Sequence, residues 1–169
     1  LDKLSKKGEG VDYISICSPN YLHDSHVRYA LRSGAHCICE KPLTLRPWNI
    51  EGLTRASEKS GKRVFTILQL RLHEEVVALR EKVQAKLATD PNYVFDVDLT
   101  YITSRGQWYY ASWKGDEEKS GGIATNIGVH FFDMLQWIFG EAKDQSVFVR
   151  THDRASGLIK IKNARVKWF

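Results

Sequence analysis

The stretch GGIATNIGVHFFDML, residues 121–135, combines groups that could do chemistry with apolar residues that could build a core. Asn126, His130 and Asp133 recur at the four- and three-residue spacing of one helix face. An imidazole exchanges protons near neutral pH, an amide orients a hydroxyl group, and a carboxylate can fix the imidazole tautomer. The face therefore indicates proton transfer, with a local hydrogen bond of the histidine as the alternative interpretation.

A second set of polar residues follows the ends of predicted strands. Its members are Ser18, Pro19, Asn20, His23, Glu40, Lys41, Gln69 and Arg71. In open α/β sheets, ligands bind beyond the carboxyl ends of the strands. A lysine held there, partly removed from water, can act as an acid or as a hydrogen-bond donor. Lys41 is therefore a candidate catalytic residue, and ordinary turn chemistry is the alternative for each of these segments.

The segment TSRGQWYYASWKG, residues 103–115, alternates aromatic and cationic side chains. Aromatic rings stack on flat ligand groups, and an arginine clamps a carboxylate or a phosphate. The segment therefore fits a ligand that has both rings and anionic groups. A packed aromatic loop or a subunit interface would use the same residue types.

The elements that must position these groups are predicted from periodicity and turn signals. Strands are predicted at 11–19, 35–42 and 63–71, and helices at 22–33 and 46–60, the second ending at Gly61. Alternating strands and helices with short connections predict right-handed crossovers and a parallel sheet. This part is interpreted as the carboxyl-terminal half of a Rossmann-like sheet.

The pattern changes near residue 72. A helix is predicted at 74–88, with Val76, Leu79, Val83 and Leu87 as its inner face. Residues 93–104 alternate like a half-exposed antiparallel strand, and two further strand-like stretches lie near 145–152 and 157–169. The fold class is therefore α/β: domain 1–72 with a parallel sheet, followed by an α+β domain, 73–169, with a largely antiparallel sheet.

Composition excludes several classes of protein. The 169 residues carry a formal charge of +5, but no continuous basic stripe, so nucleic-acid binding is not favoured. The six histidines and three cysteines show no metal-ligand spacing beyond His23 and His26, which are three residues apart, and no membrane-spanning run occurs. The cysteines are expected to be reduced, buried thiols in a cytoplasmic protein. No G-x-G-x-x-G motif is present.

The ordered motifs SPNYLH, CICEKPL, LQLR and GGIATNIGVHFFDML resemble those of the GFO/IDH/MocA family of NAD(P)-dependent oxidoreductases. Residues 97–135 are similar to the family's UDP-N-acetylglucosaminuronate 3-dehydrogenases, the WbpB/WlbA group. The resemblance implies NAD-dependent oxidation of the C3 hydroxyl of a UDP-linked N-acetylglucosaminuronic acid, in surface polysaccharide biosynthesis. It also implies a Rossmann domain that begins before Leu1, with its glycine-rich loop, so the chain is expected to be a fragment.

The resemblance assigns roles to matching residues. Lys41 and His130 correspond to the catalytic residues. The cofactor-binding positions are Cys17, Ser18, Pro19, Asn20, Leu22, His23, Glu40, Lys41 and Gln69. The substrate-binding positions are Lys41, Arg71, Thr103, Arg105, Tyr109, Lys114, Asn126 and His130. Asn126 stands where many members have an aspartate, and an amide can orient a hydroxyl group but cannot take its proton.

The expected partners are a UDP-sugar uronate and further copies of the chain, as a dimer or tetramer. 2-Oxoglutarate, with which some relatives regenerate the cofactor, is a candidate partner. No metal, nucleic acid or membrane partner is expected. Two other functions stay open: a dehydrogenase of the same family that acts on another sugar or a polyol, and a non-catalytic regulator that binds a dinucleotide.

Overall fold

A computed structural model describes residues 9–169 in two units. The first unit contains the described residues up to Ile67 together with Tyr110–Asn126, and the second contains Leu68–Tyr109 and Ile127–Phe169. The chain thus leaves the first unit and later returns to it. The predicted domains 1–72 and 73–169 are contiguous, and the first eight residues of the former lie outside the described residues.

The first unit is built on a parallel sheet of three strands in the order β1-β2-β3. These are β1 (Tyr13–Ile16), β2 (His36–Cys39) and β3 (Val64–Thr66), and they alternate with helices α1 (His23–Arg32) and α2 (Trp48–Ser60). Gly61 ends α2 with φ of 66°, a left-handed conformation that glycine adopts without strain. The predicted strand–helix alternation and the parallel sheet are confirmed.

The third predicted strand, 63–71, is too long. Its pairing with β2 ends at Cys39 and Thr66, and Ile67 N makes the last hydrogen bond, to Cys39 O. Beyond that point β2 offers no further partner, and Gln69–Leu72 form a 3₁₀ turn in the second unit. Gln69 and Arg71 therefore do not end a strand.

The core of the first unit lies between the sheet and its two helices. Val27 and Leu31 of α1 and Leu53 of α2 pack against Cys37 and Cys39 of β2. Burial raises the pKa of the Cys37 thiol to about 11 and is the main cause that raises that of Cys39 to about 12. The expectation of buried thiols holds for these two residues. It is wrong for Cys17, which is exposed because it lies just beyond the end of β1.

The helix face predicted from Asn126 to Asp133 is interrupted. Two short helices, α5 (Glu117–Ser120) and α6 (Gly122–Asn126), belong to the first unit; α4 (Gln107–Ala111) precedes them. Gly121 and Gly122 join α5 to α6 with φ of 84° and 76°. The main helix, α7 (Gly128–Phe139), starts anew after Ile127, in the second unit. Asn126 and His130 therefore lie on different helices.

The second unit contains a four-stranded sheet in the order β4-β7-β6-β5. Its elements are α3 (Glu74–Thr89), β4 (Phe95–Leu99), α7, β5 (Ala142–Arg150), β6 (Ala155–Ile161) and β7 (Ala164–Trp168). Strands β5, β6 and β7 pair in antiparallel fashion, which confirms a largely antiparallel sheet, but the stretch predicted at 157–169 forms most of β6 and all of β7. In addition, β4 pairs with β7 in parallel. The prediction of an antiparallel β4 was wrong because alternation reports a half-buried strand, not its direction.

One face of this sheet and the helices α3 and α7 enclose the second core. Leu135 and Ile138 of α7 and Val83 of α3 pack with Ile159 and Val166 of the sheet. Leu79, predicted on the inner face of α3, is 44% exposed. Its position lies about 60° around the helix from Val76, which places it at the margin of the buried stripe.

The opposite face of the second sheet is charged. Arg165 Nε donates to Asp96 Oδ1 at 2.8 Å, and Lys160 Nζ lies 3.6 Å from Asp144 Oδ2. Lys160 and Arg165 are cross-strand partners, so the four side chains form one row across the sheet. Separately, none of the helices in the described part of the chain is long and apolar enough to cross a membrane.

Candidate active site

The turns after β1 and β2 begin side by side in the first unit. Ile16 and Cys39 are register partners, and Glu40 N donates to Ile16 O at 2.9 Å. The segments 17–20 and 40–42, which the sequence placed at one sheet edge, therefore lie at the same edge. The Lys41–Pro42 peptide bond is cis. Parallel pairing thus brings the lysine of one turn beside the serine and asparagine of the other.

His23 ties these two turns together. Its side chain is fully buried; Nδ1 lies 2.7 Å from Pro42 O and Nε2 lies 2.8 Å from Ser18 O. Both acceptors are carbonyl oxygens, so a ring nitrogen that carries a hydrogen donates it to the carbonyl that it faces. His23 was predicted to bind the cofactor, but the geometry occupies both of its nitrogens with the backbone of the two turns.

A buried amide network lies next to the lysine. Asn20 Nδ2 donates to Ser120 O at 2.9 Å and to Asn126 Oδ1 at 3.1 Å. Lys41 Nζ donates to Asn126 O at 2.5 Å. Segment 120–126 therefore meets both strand-end turns within the first unit. Sequence reasoning missed Ser120, because its contribution is a main-chain oxygen and no side-chain pattern reports it.

The double glycine has a local explanation in this segment. A Cβ atom on Gly121 would lie 2.7 Å from Thr125 Cγ2 and 2.9 Å from Leu45 Cδ2. Gly122 N donates to Ser120 Oγ at 3.0 Å. The glycines thus allow the left-handed turn that carries the chain from Ser120 to Asn126, together with close packing against Leu45.

One further histidine, on α1, lies close to the turn that follows β1. His26 Nδ1 lies 2.9 Å from Ser18 Oγ, in an exposed position on α1. His23 and His26 are three residues apart in the sequence. That spacing sets the two rings on one side of α1, where each contacts Ser18 through a different atom.

The second unit holds His130 and its neighbour Asp133. His130 is half-buried in the first turn of α7. Arg71 Nε donates to Asp133 Oδ2 at 2.7 Å, and Arg71 Nη2 donates to the other oxygen. The hydrogen bond to Asp133 is the main cause that raises the pKa of the Arg71 guanidinium. Asp133, predicted to fix the imidazole, therefore gives both oxygens to Arg71.

The remaining predicted substrate residues are divided between the units. Thr103, Arg105 and Tyr109 belong to the second unit, where the Arg105 guanidinium carbon lies 5.5 Å from the centre of the Tyr109 ring. Lys114 belongs to the first unit, and its Nζ lies 5.8 Å from the centre of the Trp113 ring. Within each unit, a cation of this segment thus lies near an aromatic ring of the same segment, whereas the contact of both with a ligand stays a prediction.

The residues at the parallel-sheet edge fit a nicotinamide dinucleotide. Ser18, Glu40 and Lys41 are partly exposed there, at the strand ends where open α/β sheets bind such cofactors. A metal site finds no such support: among residues 9–169, no three His, Cys, Asp or Glu side chains are grouped so that they could hold an ion.

The parallel sheet with Lys41 just after its second strand, and the α/β unit with His130 on its main helix, agree with the fold that the resemblance to NAD(P)-dependent oxidoreductases implies. The model of an oxidoreductase-family NAD-binding Rossmann fold matches residues 1–68, and that family's C-terminal alpha/beta domain matches residues 92–167. The chain therefore belongs to the GFO/IDH/MocA family of oxidoreductases.

Solved relatives cover the whole chain. The WlbA (WbpB) dehydrogenase from Thermus thermophilus is 49% identical, with a TM-score of 0.94, in its complex with NAD and UDP-GlcNAcA. It is 50% identical, with a TM-score of 0.92, in its complex with NAD and alpha-ketoglutarate. Each match covers 100% of this chain and 53% of the relative. The chain therefore spans about half the length of these relatives.

Curated relatives are more distant. The D-glucoside 3-dehydrogenase of Escherichia coli (strain K12) is 26% identical over 80% of this chain. A putative UDP-kanosamine synthase oxidoreductase subunit of Amycolatopsis mediterranei is 31% identical over 85% of this chain. In both cases the match covers 38% of the relative. These relatives share the oxidoreductase family and differ in the sugar that their names give.

Proposed function

We propose that the full-length protein oxidises the C3 hydroxyl of a UDP-linked N-acetylglucosaminuronic acid, with NAD as the hydride acceptor, in surface polysaccharide biosynthesis. The observation that carries this proposal is the 49% identity, over the whole chain, to a dehydrogenase solved with NAD and UDP-GlcNAcA. The same dehydrogenase was solved with NAD and alpha-ketoglutarate, which supports 2-oxoglutarate as the partner that regenerates the cofactor.

The chemistry requires that a proton leave the hydroxyl group while hydride leaves its carbon. NAD supplies the hydride acceptor when it is bound. Lys41 and His130 are the groups proposed to accept the proton or to stabilise the developing alkoxide. The hydrogen bond from Lys41 Nζ to Asn126 O fixes the position of the ammonium group, as such a role requires.

Substrate recognition is proposed for Arg71, Thr103, Arg105, Tyr109, Lys114 and Asn126. The substrate carries a diphosphate and a carboxylate, both of which suit cationic side chains. Arg71 is held by Asp133, so it would meet the substrate in a fixed orientation. Arg105 lies over the ring of Tyr109, so cation and ring would act on the ligand together.

Turnover by the full-length protein tests the proposal. NADH formation is measured with UDP-N-acetylglucosaminuronate, with the free sugar acid, with a D-glucoside and with a polyol. We expect turnover with the nucleotide sugar alone. Turnover with only a free sugar or polyol would instead favour the alternative that the Escherichia coli relative supports. NAD binding without turnover of any substrate would indicate a regulator.

The role of His130 has its own test. His130→Asn is expected to lower turnover by about 10²–10⁴-fold, the usual contribution of a proton-transfer residue, while NAD still binds. The matched control is His152→Asn, which changes an exposed histidine in the same unit. Equal turnover by the wild-type protein and His130→Asn would remove His130 from the mechanism.

Light scattering of the purified protein tests the proposed dimer or tetramer.

A further inference from the structure

A buried asparagine in the first unit, predicted as a cofactor-binding position, makes its contacts inside the protein. Asn20 begins the 3₁₀ turn after β1 and is only 4% exposed. Its amide nitrogen lies within hydrogen-bond distance of two acceptors, Ser120 O and Asn126 Oδ1. An amide nitrogen has two hydrogens, so one can go to each acceptor. If the amide were flipped, its oxygen would face the carbonyl oxygen of Ser120, and two acceptors cannot form a hydrogen bond. Only the orientation with the nitrogen toward Ser120 therefore fits.

Asn126 connects this amide to the candidate catalytic lysine. Its side chain is held by Asn20, it is 6% exposed, and its main-chain oxygen accepts from Lys41 Nζ. Asn126 is the last residue of α6, where helix carbonyls lack partners within the helix and can bind a lysine instead. The direction of this carbonyl depends on how residue 126 is held.

We propose that Asn20 is a positioning residue for Lys41: it fixes Asn126, whose carbonyl oxygen fixes the lysine ammonium group. The consequence for catalysis rests on the proposed function, since it needs Lys41 to act on the substrate. The positioning itself does not. The side-chain oxygen of Asn126 is thereby engaged by the amide of Asn20.

The positioning is tested first without substrate. Full-length protein is labelled with a trace amount of an amine-acylating reagent, and the labelling rate of each lysine is read by mass spectrometry. Asn20→Leu removes the amide nitrogen that donates to Ser120 O and Asn126 Oδ1, and it adds no charge. Asn126→Leu removes the side-chain oxygen that accepts from Asn20. Lys41 is expected to be labelled several-fold faster in both variants than in the wild-type protein.

Two comparisons make this result specific. Lys59, an exposed lysine of α2 in the same unit, serves as the internal reference and is expected to keep its labelling rate. Asn92→Leu is the matched control variant, since Asn92 is exposed. Unchanged Lys41 labelling in Asn20→Leu overturns the proposal. An equal rise at Lys59 overturns it too, because the variant would then have loosened the whole unit.

Kinetics with the nucleotide sugar supply the second test. A displaced lysine is expected to lower kcat by about 10–100-fold in Asn20→Leu, since a shift of about 1 Å can cost that much. KM should change by less than kcat, because Asn20→Leu leaves Arg71, Arg105 and the other proposed substrate residues of the second unit in place. Asn126→Asp, which keeps an oxygen for the Asn20 amide, should retain far more activity than Asn126→Leu. A rise in KM with kcat unchanged overturns positioning in favour of direct substrate contact.

The two tests separate two failures. Absence of turnover with the nucleotide sugar, together with faster Lys41 labelling in both leucine variants, rejects the proposed substrate and supports the positioning. Turnover with unchanged labelling rejects the positioning and leaves the proposed function intact. Faster labelling in Asn126→Leu alone shows that Asn20 is not needed, and so overturns the proposal.

Discussion

The two sheets differ in the residues on their less covered faces. In the parallel sheet this face carries Tyr13 and Phe65, which are 57% and 43% exposed. In the second sheet it carries the row of ion pairs that includes Arg165 with Asp96. An apolar second face is typical of parallel sheets that carry layers on both sides, whereas a charged one is typical of sheets that meet water.

The candidate chemistry also occupies different places in the two units. In the first unit it lies in the turns beyond the strands, held by His23 and Asn20, and the strands themselves contribute core. In the second unit His130 lies on a helix that packs with the sheet through Leu135 and Ile138. Hydrogen bonds between turns are therefore expected to contribute most to holding the candidate residues of the first unit. Core packing is expected to contribute most to holding His130 in the second unit.

A large effect is expected at His23, which connects the two turns. His23→Leu removes the group that faces Ser18 O and Pro42 O, and a buried carbonyl left without a donor costs about 1–3 kcal/mol of unfolding free energy. Urea denaturation measures the loss. The control His152→Leu, at an exposed position, should change stability by less than about 0.5 kcal/mol. Equal losses of unfolding free energy in His23→Leu and His152→Leu would show that the contacts of His23 do not stabilise the two turns.

Core packing in the second unit is tested by Leu135→Ala. Leu135 is 2% exposed, and its truncation should cost about 2–5 kcal/mol in the same urea experiment. Gln136→Ala changes the next residue of α7, which is exposed, and is the matched control. A cost below about 1 kcal/mol for Leu135→Ala would show that α7 does not depend on this core.

Cysteine labelling compares the two buried cysteines of β2, Cys37 and Cys39, with the exposed Cys17 just beyond the end of β1. Burial raises the pKa of Cys37 from 9.0 to about 11, which lowers its thiolate fraction at pH 8 by about 100-fold. The raised pKa of Cys39 acts in the same direction. Alkylation of the folded protein should therefore modify Cys17 and spare the other two until the protein unfolds. Modification of Cys37 at the rate of Cys17 would contradict the burial.

The smallest effect is expected on the charged face of the second sheet. Arg165 and Asp96 are exposed, so their ion pair should contribute about 0.2–1 kcal/mol. A double-mutant cycle with Arg165→Ala and Asp96→Ala measures the coupling, which should decrease further in high salt. A coupling above about 2 kcal/mol would show that this face is less accessible to water than the side chains indicate.

Much of the fold follows from local signals in the sequence. The strand–helix alternation of the first unit and the helix end at Gly61 are set by residues close together in the chain. The direction of β4 and the length of β3 depend on the strands beside them, which periodicity does not report. The break at Ile127 falls inside an apolar pattern that continues through it, so periodicity alone predicted one helix.

The candidate site was predictable in part. Motifs at the strand ends predicted the grouping of Ser18, Asn20 and Lys41, because parallel strands end at one edge. The bonds from Asn20 to Ser120 and Asn126 join residues 100 and 106 positions apart. Such pairs leave no periodic signal in one sequence. Arg71 and Asp133, 62 positions apart, were for the same reason not predicted as a pair.

Because residues 110–126 return to the first unit, the ribosome synthesises the segments of this unit at different times. The three strands of the parallel sheet that lie in the described residues precede residue 67, so they can pair early in synthesis. The carbonyl that holds Lys41 belongs to residue 126 and emerges more than 80 residues after the lysine itself. During that interval the nascent sheet already has its strands, while the candidate catalytic lysine still lacks this anchor.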